Sequence, residues 1–316
     1  MASRSFTPAS ARRRLGDPVF RGATAGFALA LAVLLVALVV ELGLSSAPAW
    51  RAFGLDFVTG TVWDTGSAVY GALPFIAGTV LTSLLAMVIA IPLSVCTAIF
   101  LAELAPRWLA MPTTFLIELI AAIPSVVIGL WGMFALTPFI RDTIEAPLVD
   151  TFGDTVPVLA GPAYGSDLFA ASFILAIMVV PTIVTIAREV ISSVPLSHRE
   201  AFLGLGATRW ETVRRVVLPA ALPGIVGAIF LGLGRALGET MAVTMMIGNA
   251  DRIPNGLFDQ TQTIASKIAT SFNEASMGLE TQSLLALGLV LMAVTLAIGV
   301  LARVLVSRAM GTRHGS

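Results

Sequence analysis

Six apolar stretches, each long enough to cross a lipid bilayer, restrict the fold of this 316-residue chain more than any other feature. A transmembrane helix needs about 20 predominantly apolar residues. Hydrophobic residues make up 57% of the chain and charged residues 12%, a balance typical of membrane proteins rather than soluble domains. The sequence therefore predicts an all-α polytopic membrane protein with six transmembrane helices near residues 26–44, 74–101, 108–140, 168–187, 221–248 and 283–306.

The second, third and fifth stretches are longer than one crossing requires. Long transmembrane helices tilt or bend to fit the bilayer, and proline is a common cause of a bend. We therefore expect tilting, or bends at Pro92, Pro124 or Pro138.

Arginines are concentrated in alternate loops, and this bias predicts the orientation of the chain. Basic segments near the ends of transmembrane helices are retained in the cytoplasm. Arginines cluster near the N-terminus, between residues 188 and 219 and near the C-terminus, whereas acidic residues outnumber basic ones in 141–167 and 249–282. Six spans with both termini in the cytoplasm satisfy every loop at once.

The predicted organisation follows from these spans and loops. It consists of a cytoplasmic N-terminal tail at 1–21, a first transmembrane helix at 22–44, an external loop at 45–70, a core domain of five transmembrane helices at 71–306 and a cytoplasmic tail at 307–316. Within the core domain, we expect external loops at 141–167 and 249–282 and a cytoplasmic loop at 188–224.

Three further observations limit the class of protein. The first apolar stretch also has features of a cleavable signal peptide, but it is longer than a usual signal core and is better interpreted as a membrane anchor. The net charge of zero gives no indication of nucleic-acid binding. Cys96 is the only cysteine, so neither an intramolecular disulfide nor a cysteine-based metal cluster can form, and we expect no metal site.

The polar segment between the fourth and fifth stretches predicts two short helices joined at a glycine. The tetrapeptides SHRE at 197–200 and TRWE at 208–211 each match a capping box. Gly206 lies between them, where a left-handed residue can end the first helix, and Pro219 is expected to end the second. We call residues 197–219 the elbow. Its apolar side chains are predicted to form a ridge: Ala201 and Leu205 on the first arm, and Trp210, Val213 and Val217 on the second.

The elbow resembles the EAA loop by which permease subunits of ABC importers dock onto their ATPase. Glu200-Ala201, Gly206 six residues on and Leu218-Pro219 match that signature, although Phe202 stands where the family name implies alanine. The alternative interpretation is an amphipathic loop on the membrane surface. The resemblance implies an ATPase coupling loop that includes Glu200, Ala201, Gly206, Trp210, Leu218 and Pro219.

The fifth stretch places two ionisable residues, Arg235 and Glu239, inside an apolar segment. Charged groups at such positions are costly and are functional candidates by default. Their spacing predicts one helical face and a pairing of the two side chains, and arginine also suits phosphate or carboxylate oxygens. A purely structural ion pair is the alternative. Glu118 and Thr240 are weaker candidates for a substrate pathway, and Glu118 has an equal structural interpretation, facing the helix bundle or a sister subunit.

Three segments, at 70–83, 117–132 and 232–249, resemble the PstC-type permeases of phosphate ABC importers. The resemblance implies the type I ABC importer permease architecture and translocation of inorganic phosphate across the bacterial cytoplasmic membrane. The implied partners are a PstA-like sister permease, a PstB-like ATPase dimer and a PstS-like phosphate-binding protein. ATP and Mg would be bound by the ATPase, with no cofactor on this chain.

The absence of a phosphate-binding loop agrees with that division of labour. Such a loop needs glycines followed by Gly-Lys-Ser/Thr, and the only lysine, Lys267, lies between Ser266 and Ile268. We therefore expect a transport subunit that is not itself an enzyme.

Other classes of function remain as alternatives. A PstA-like sister permease and a permease for another oxyanion fit much of the same pattern. A secondary anion carrier could use an intramembrane arginine but has no use for the elbow. A membrane enzyme has little support, because the catalytic motifs HExxH and GxSxG are missing and the only histidines, His198 and His314, lie in predicted cytoplasmic segments.

Overall fold

The computed structural model describes residues 16–275 and 278–311, and these residues are mainly helical. The predicted terminal tails fall largely outside the described residues, at 1–15 and 312–316. The α-helices are α1 Gly16–Phe53, α2 Asp56–Thr59, α3 Leu73–Ile99, α4 Arg107–Ala122, α5 Ser125–Trp131, α6 Thr137–Ile140, α7 Ala146–Phe152, α8 Leu168–Ser192, α9 Leu196–Gly204, α10 Arg209–Thr212, α11 Leu218–Gly238, α12 Met241–Met246, α13 Ile264–Ser271 and α14 Leu279–Gly311.

Short π-helical and 3-10 turns connect several of these helices. The π turns are Phe100–Leu104, Gly132–Leu136, Arg141–Glu145 and Val213–Val217, and Pro157–Leu159 forms a 3-10 turn. Two short strands, β1 Trp63–Asp64 and β2 Val69–Tyr70, pair antiparallel with Trp63 opposite Tyr70.

Within the described residues, six helical segments are long and apolar enough to cross a membrane, which confirms the predicted number. They are Pro18–Phe53, Leu73–Leu104, Ser125–Phe152, Leu168–Ser192, Arg209–Gly238 and Leu279–Arg308. The described residues divide into two compact units, one that ends at Ser45 and one that begins at Ser46. The described part of the first unit is helical throughout.

The main core of the second unit lies along α8, which packs between α3 and α11. Its largest fully buried side chains on α8 include Ile174, Met178, Ile183 and Ile191. Gly232 of α11 allows the close approach, since a Cβ at that position would lie 2.7 Å from Cγ1 of Ile183. Close packing at small residues is a general means of joining membrane helices, because it brings the backbones together.

A second core lies around β1 and β2, the beginning of α3, α13 and α14. It contains the fully buried Phe57 and Phe75 together with Ile264 and Leu287. The rings of Trp63 and Tyr70 meet edge to face with centroids 4.8 Å apart, and Trp63 also meets Phe75 at 5.4 Å. The segment 45–70, predicted only as a loop, is therefore an ordered part of the fold.

The third predicted span differs most from the structure. Residues 108–140 were expected to form one crossing, but α4 ends at Ala122 and α5 begins at Ser125. Ile123 has an extended backbone with ψ 130°, because a residue before proline avoids the helical region. The crossing instead runs over Ser125–Phe152, and the beginning of the predicted loop 141–167 is helical.

All four π turns of the described residues end two positions before a proline: Pro106, Pro138, Pro147 and Pro219. Proline lacks an N–H and its ring clashes with the carbonyl four residues earlier. A π turn moves the hydrogen bond to the carbonyl five residues earlier, as in the bond from Leu218 N–H to Val213 O. At three of these sites the helix continues through the proline, so the expected end at Pro219 is wrong.

Candidate functional site

The turn of the elbow has the backbone that the sequence predicts. Gly206 has a positive φ of +87°, and its N–H donates to Leu203 O over 2.9 Å. The capping box at the start of α10 is also confirmed: Thr208 Oγ1 accepts from Glu211 N–H at 3.3 Å, and Glu211 Oε2 accepts from Thr208 N–H at 2.9 Å. Local hydrogen bonds therefore fix the start of the second arm.

The first predicted capping box is wrong. Ser197 lies inside α9, and the cap position belongs to Pro195, whose backbone is extended with ψ 136°. Because α9 begins at Leu196, the Ser197 hydroxyl is already beyond the position from which it could cap the helix.

The predicted apolar ridge is divided between two surfaces. Leu205 is 83% exposed and Trp210 59% exposed, and Ala201 is exposed beside them. Val213 and Val217 are instead buried, and Val217 belongs to the main core. The division arises because the second arm continues through the π turn into α11, so that the two valines are covered while the tip of the elbow stays exposed.

Sequence reasoning missed a partly buried ion pair beneath the elbow. Arg199 Nη2 lies 2.7 Å from Glu103 Oε1, and these side chains are only 17% and 12% exposed. The same nitrogen donates to Ile191 O at 2.9 Å. Only the position of Glu103 near the end of an apolar stretch could have suggested a role, and that signal does not name a partner.

Arg235 lies on α11 with part of its hydrogen-bonding capacity unused. Its Nη1 donates to Thr182 Oγ1 of α8 at 3.5 Å, a long hydrogen bond. Its Nε is buried and has no partner among the described residues. Thr182 was not among the predicted site residues, because nothing in its local sequence indicates contact with a residue 53 positions away.

Glu239 does not pair with Arg235 in the described structure, contrary to the prediction of a shared helical face. Helix α11 ends at Gly238, and Glu239 has an extended backbone with ψ 128°. The i, i+4 geometry therefore ends one residue too early. Thr240 follows as the cap of α12, where its carbonyl accepts from Thr244 N–H at 2.9 Å.

The interruption at Glu239 and Thr240 divides the fifth predicted span into α11 and α12. Non-helical backbone at membrane depth is tolerated where protein or a water-filled cavity surrounds it. Discontinuous helices of this kind often carry substrate sites in transporters. Arg235, in the last turn of α11, lies directly before this interruption.

Glu118 lies apart from this group. It is exposed on α4, a helix on which no residue is buried. The alternative prediction, that Glu118 faces the helix bundle of its own subunit, is therefore wrong. An exposed position of Glu118 is compatible with the other prediction, that it faces a sister subunit.

A polar cluster after α12 was also missed. Lys267, only 7% exposed, lies 2.6 Å from Asp251 Oδ2 and 5.2 Å from the centroid of the Trp63 ring. Asn249, with φ +52°, donates from Nδ2 to Thr244 O at 2.8 Å and accepts from Ser266 Oγ at 2.7 Å. These contacts fasten the segment after α12 to α13. In the part of the chain that the structure describes, no group of three or more acidic, histidine or cysteine side chains is arranged to hold a metal ion.

Six membrane-length helices, an exposed elbow between the fourth and the fifth, and an interruption after α11 define a transmembrane permease subunit of the type I ABC importer architecture. The chain belongs to the family of binding-protein-dependent transport system inner membrane components, which matches residues 90–311. It is accordingly a multi-pass inner-membrane protein and a component of a transport system.

Relatives from several bacteria are similar over nearly the whole chain. The phosphate transport system permease protein PstC of Haemophilus influenzae is 43% identical over 301 residues, which cover 94% of this chain and 95% of that protein. The protein of the same name from Mesorhizobium japonicum is 44% identical over 312 residues, covering 97% and 95%.

Solved transporters share the fold at low sequence identity. A bacterial alginate ABC transporter in complex with an alginate-bound periplasmic protein gives a TM-score of 0.60 at 16% identity and covers 94% of this chain and 98% of its own. Another structure of a bacterial alginate importer gives 0.54 at 17% identity, with coverage of 92% and 99%. These similarities agree with the arrangement of helices described above.

Proposed function

We propose that this chain is the transmembrane permease subunit of an ATP-binding-cassette importer that translocates inorganic phosphate across the cytoplasmic membrane. The observation that carries the proposal is the similarity to proteins named PstC, at 43% and 44% identity over more than nine-tenths of the chain. That similarity includes both the elbow and the interrupted fifth span.

A separate ATPase dimer of the PstB type supplies the energy and binds ATP and Mg, and this chain binds no cofactor. The exposed Leu205 and Trp210 support this division, because large apolar side chains at the tip of a polar elbow suit the groove of a partner protein. A PstA-like sister permease completes the membrane part, and a PstS-like binding protein delivers phosphate. Lipid surrounds the apolar helix faces, and no nucleic acid is involved.

The proposed orientation places both termini and the elbow in the cytoplasm. The arginine-rich segments support it, because positive charge near span ends is retained inside. The segment that contains β1, β2 and α13 then faces outward, where the binding protein docks.

Arg235 is the proposed contact for phosphate on the pathway. Its support is the buried Nε without a partner and the single long hydrogen bond to Thr182. A guanidinium with free N–H donors can bind an oxyanion through two parallel hydrogen bonds. Glu239, at the interruption, and more weakly Thr240 and Glu118 complete the proposed pathway.

The test is ATP-dependent uptake of labelled phosphate into vesicles that contain this chain with its sister permease, ATPase and loaded binding protein. We expect uptake by the wild type and by Arg107→Gln, which changes an exposed arginine at the start of α4, but not by Arg235→Gln at equal assembly. Uptake that needs no ATP would indicate a secondary carrier. Transport of another oxyanion instead of phosphate by the assembled wild type would contradict the substrate assignment but not the importer architecture.

A further inference from the structure

The first arm of the elbow has almost no apolar attachment to the bundle. No residue of α9 is buried. Its described side-chain bonds to other elements come from Arg199, which contacts Glu103 and the Ile191 carbonyl. Besides its contacts with α10 and the π turn Val213–Val217, α9 is therefore attached to the ends of α3 and α8 by that one guanidinium.

The guanidinium joins three separate elements of the subunit. Arg199 belongs to α9 and directly precedes Glu200 of the elbow. Glu103 lies in the π turn Phe100–Leu104, which completes the long helix begun by α3. Ile191 lies in the last turn of α8. A displacement of α9 therefore acts on the ends of two helices of the main core.

The ion pair is well suited to carry a displacement without opening. Both side chains are largely removed from water, so separating them would leave two poorly solvated charges. The bond is short and charge-assisted, at 2.7 Å. Exposed pairs, in contrast, are screened and exchange readily with water.

The helix that receives the displacement reaches the other end of the subunit. α3 packs along α8 over much of its length. Near its first turns, Thr79 Oγ1 accepts from the N–H of Ile264 at the start of α13, at 2.9 Å. A shift of α3 at Glu103 therefore acts, at the opposite end of α3, on α13 and on the ion pair between Lys267 and Asp251.

We propose that the Arg199–Glu103 ion pair transmits movement of the elbow to α3, so that both are positioning residues for the coupling of ATP hydrolysis to transport. The inference rests on the proposed function, since it takes the elbow to be the surface on which the ATPase acts. It assigns to Glu103, outside the elbow, a part in coupling that the elbow signature does not include.

The experiment measures phosphate moved per ATP hydrolysed in liposomes that contain the full importer and its loaded binding protein. Complexes are recovered through a tag on the ATPase, so that only assembled importers are compared. The variants are Arg199→Gln, Glu103→Gln and the double variant. The controls are Arg107→Gln and Glu189→Gln, which change exposed residues near the same helix ends.

Both single variants are expected to hydrolyse ATP while losing about five-fold or more of the phosphate moved per ATP, the lower range of allosteric coupling. The double variant is expected to lose no more than either single variant, because two residues that act through one contact are not additive. The controls should keep the wild-type ratio. A residue that only supports the fold would change the amount of complex recovered without changing this ratio.

Three results would overturn the inference. One is an unchanged ratio in the assembled single variants. Another is a double variant whose loss equals the product of the two single losses. The last is failure to recover any complex with Glu103→Gln, whose amide oxygen still accepts from Arg199, since the pair would then serve assembly. A wild type that hydrolyses ATP but moves no phosphate is a separate failure, that of the proposed function, and is recognised before any variant is compared.

Discussion

Glu145 and Asp167 bring two carboxyl groups close together in the interior of the fold, and both residues are completely buried. Glu145 Oε2 accepts from Gly165 N–H at 2.7 Å, and Asp167 Oδ1 accepts from Ala170 N–H at 2.9 Å. The other two oxygens have no donor among the described residues. Burial without a donor for the second oxygen favours the protonated form of Asp167.

The pair predicts a stability that depends on pH. Desolvation raises the pKa of Asp167 to about 8 from 3.8, the Ala170 N–H opposes the rise, and Glu145 adds to it. Between these two pKa values the folded protein binds more protons than the unfolded chain. The stability that protonated Asp167 contributes is therefore complete below about pH 4 and is lost as the pH rises to about 8. Of the charged groups nearby, Arg141 bonds Asp142 and also interacts electrostatically with Glu145, and Asp259 accepts from two backbone N–H groups.

Asp167→Asn is the variant that checks this dependence. Asparagine keeps the helix cap and donates to Glu145 at every pH. Between pH 6 and 8.5 the melting temperature of the purified complex is expected to fall in the wild type. In the variant we expect this fall to be smaller by about 2 °C or more. Asp150→Asn, at an exposed position on α7, is the control. A wild type and an Asp167→Asn variant whose melting temperatures change equally with pH would contradict the raised pKa of Asp167.

The contact between Arg235 and Thr182 predicts a graded effect on uptake. Thr182→Val removes the single hydrogen bond of the guanidinium to a neighbouring helix, and such a bond contributes about 1 kcal/mol. The initial rate of phosphate uptake is expected to fall roughly 2- to 10-fold, less than in Arg235→Gln. Thr185→Val is the matched control, because its hydroxyl bonds only Pro181 O of its own helix. Equal rates in the two threonine variants would remove the positioning role of Thr182.

The uncovered tip of the elbow predicts separate effects on docking and folding. Trp210→Ala is expected to weaken binding of the ATPase about 30-fold, as loss of a central aromatic contact does, with the free energy of unfolding unchanged because Trp210 is exposed. Val217→Ala should instead lower stability by about 1 to 3 kcal/mol, because Val217 is buried. Binding to immobilised ATPase and thermal melting measure the two effects. Undiminished ATPase binding by Trp210→Ala would place the docking surface elsewhere.

Two glycines of the elbow provide a matched pair. Neither Gly204 nor Gly206 would meet a neighbour within 4 Å if a Cβ were added, but only Gly206 has a positive φ, at +87°. Alanine at residue 206 is therefore strained by about 1 to 2 kcal/mol, whereas alanine at residue 204 suits the end of α9. We expect Gly206→Ala to reduce ATPase binding and Gly204→Ala to preserve it. Similar losses in both would show that contact at the tip, rather than the angle of the turn, decides docking.

The outcome for the prolines shows where sequence reasoning reaches its limit. The six spans were predictable because apolar length alone decides whether a helix can cross a bilayer. The effect of each proline was not predictable, because it depends on how the preceding turn adjusts its hydrogen bonds. Pro124 separates α4 from the crossing that begins at Ser125, whereas Pro138, Pro147 and Pro219 each follow a π turn and lie within a continuing helix.

The sequence by itself determined the number of membrane spans, the turn at Gly206 and the cap from Thr208 to Glu211. These features depend on interactions within a few residues or on the solvent, so local chemistry decides them. Only the tertiary structure decided which distant groups meet: Glu103 with Arg199, Glu145 with Asp167, and Thr182 with Arg235. Each of those contacts forms because packing brings separate segments together, and a buried polar group must then find its partner there or remain without one.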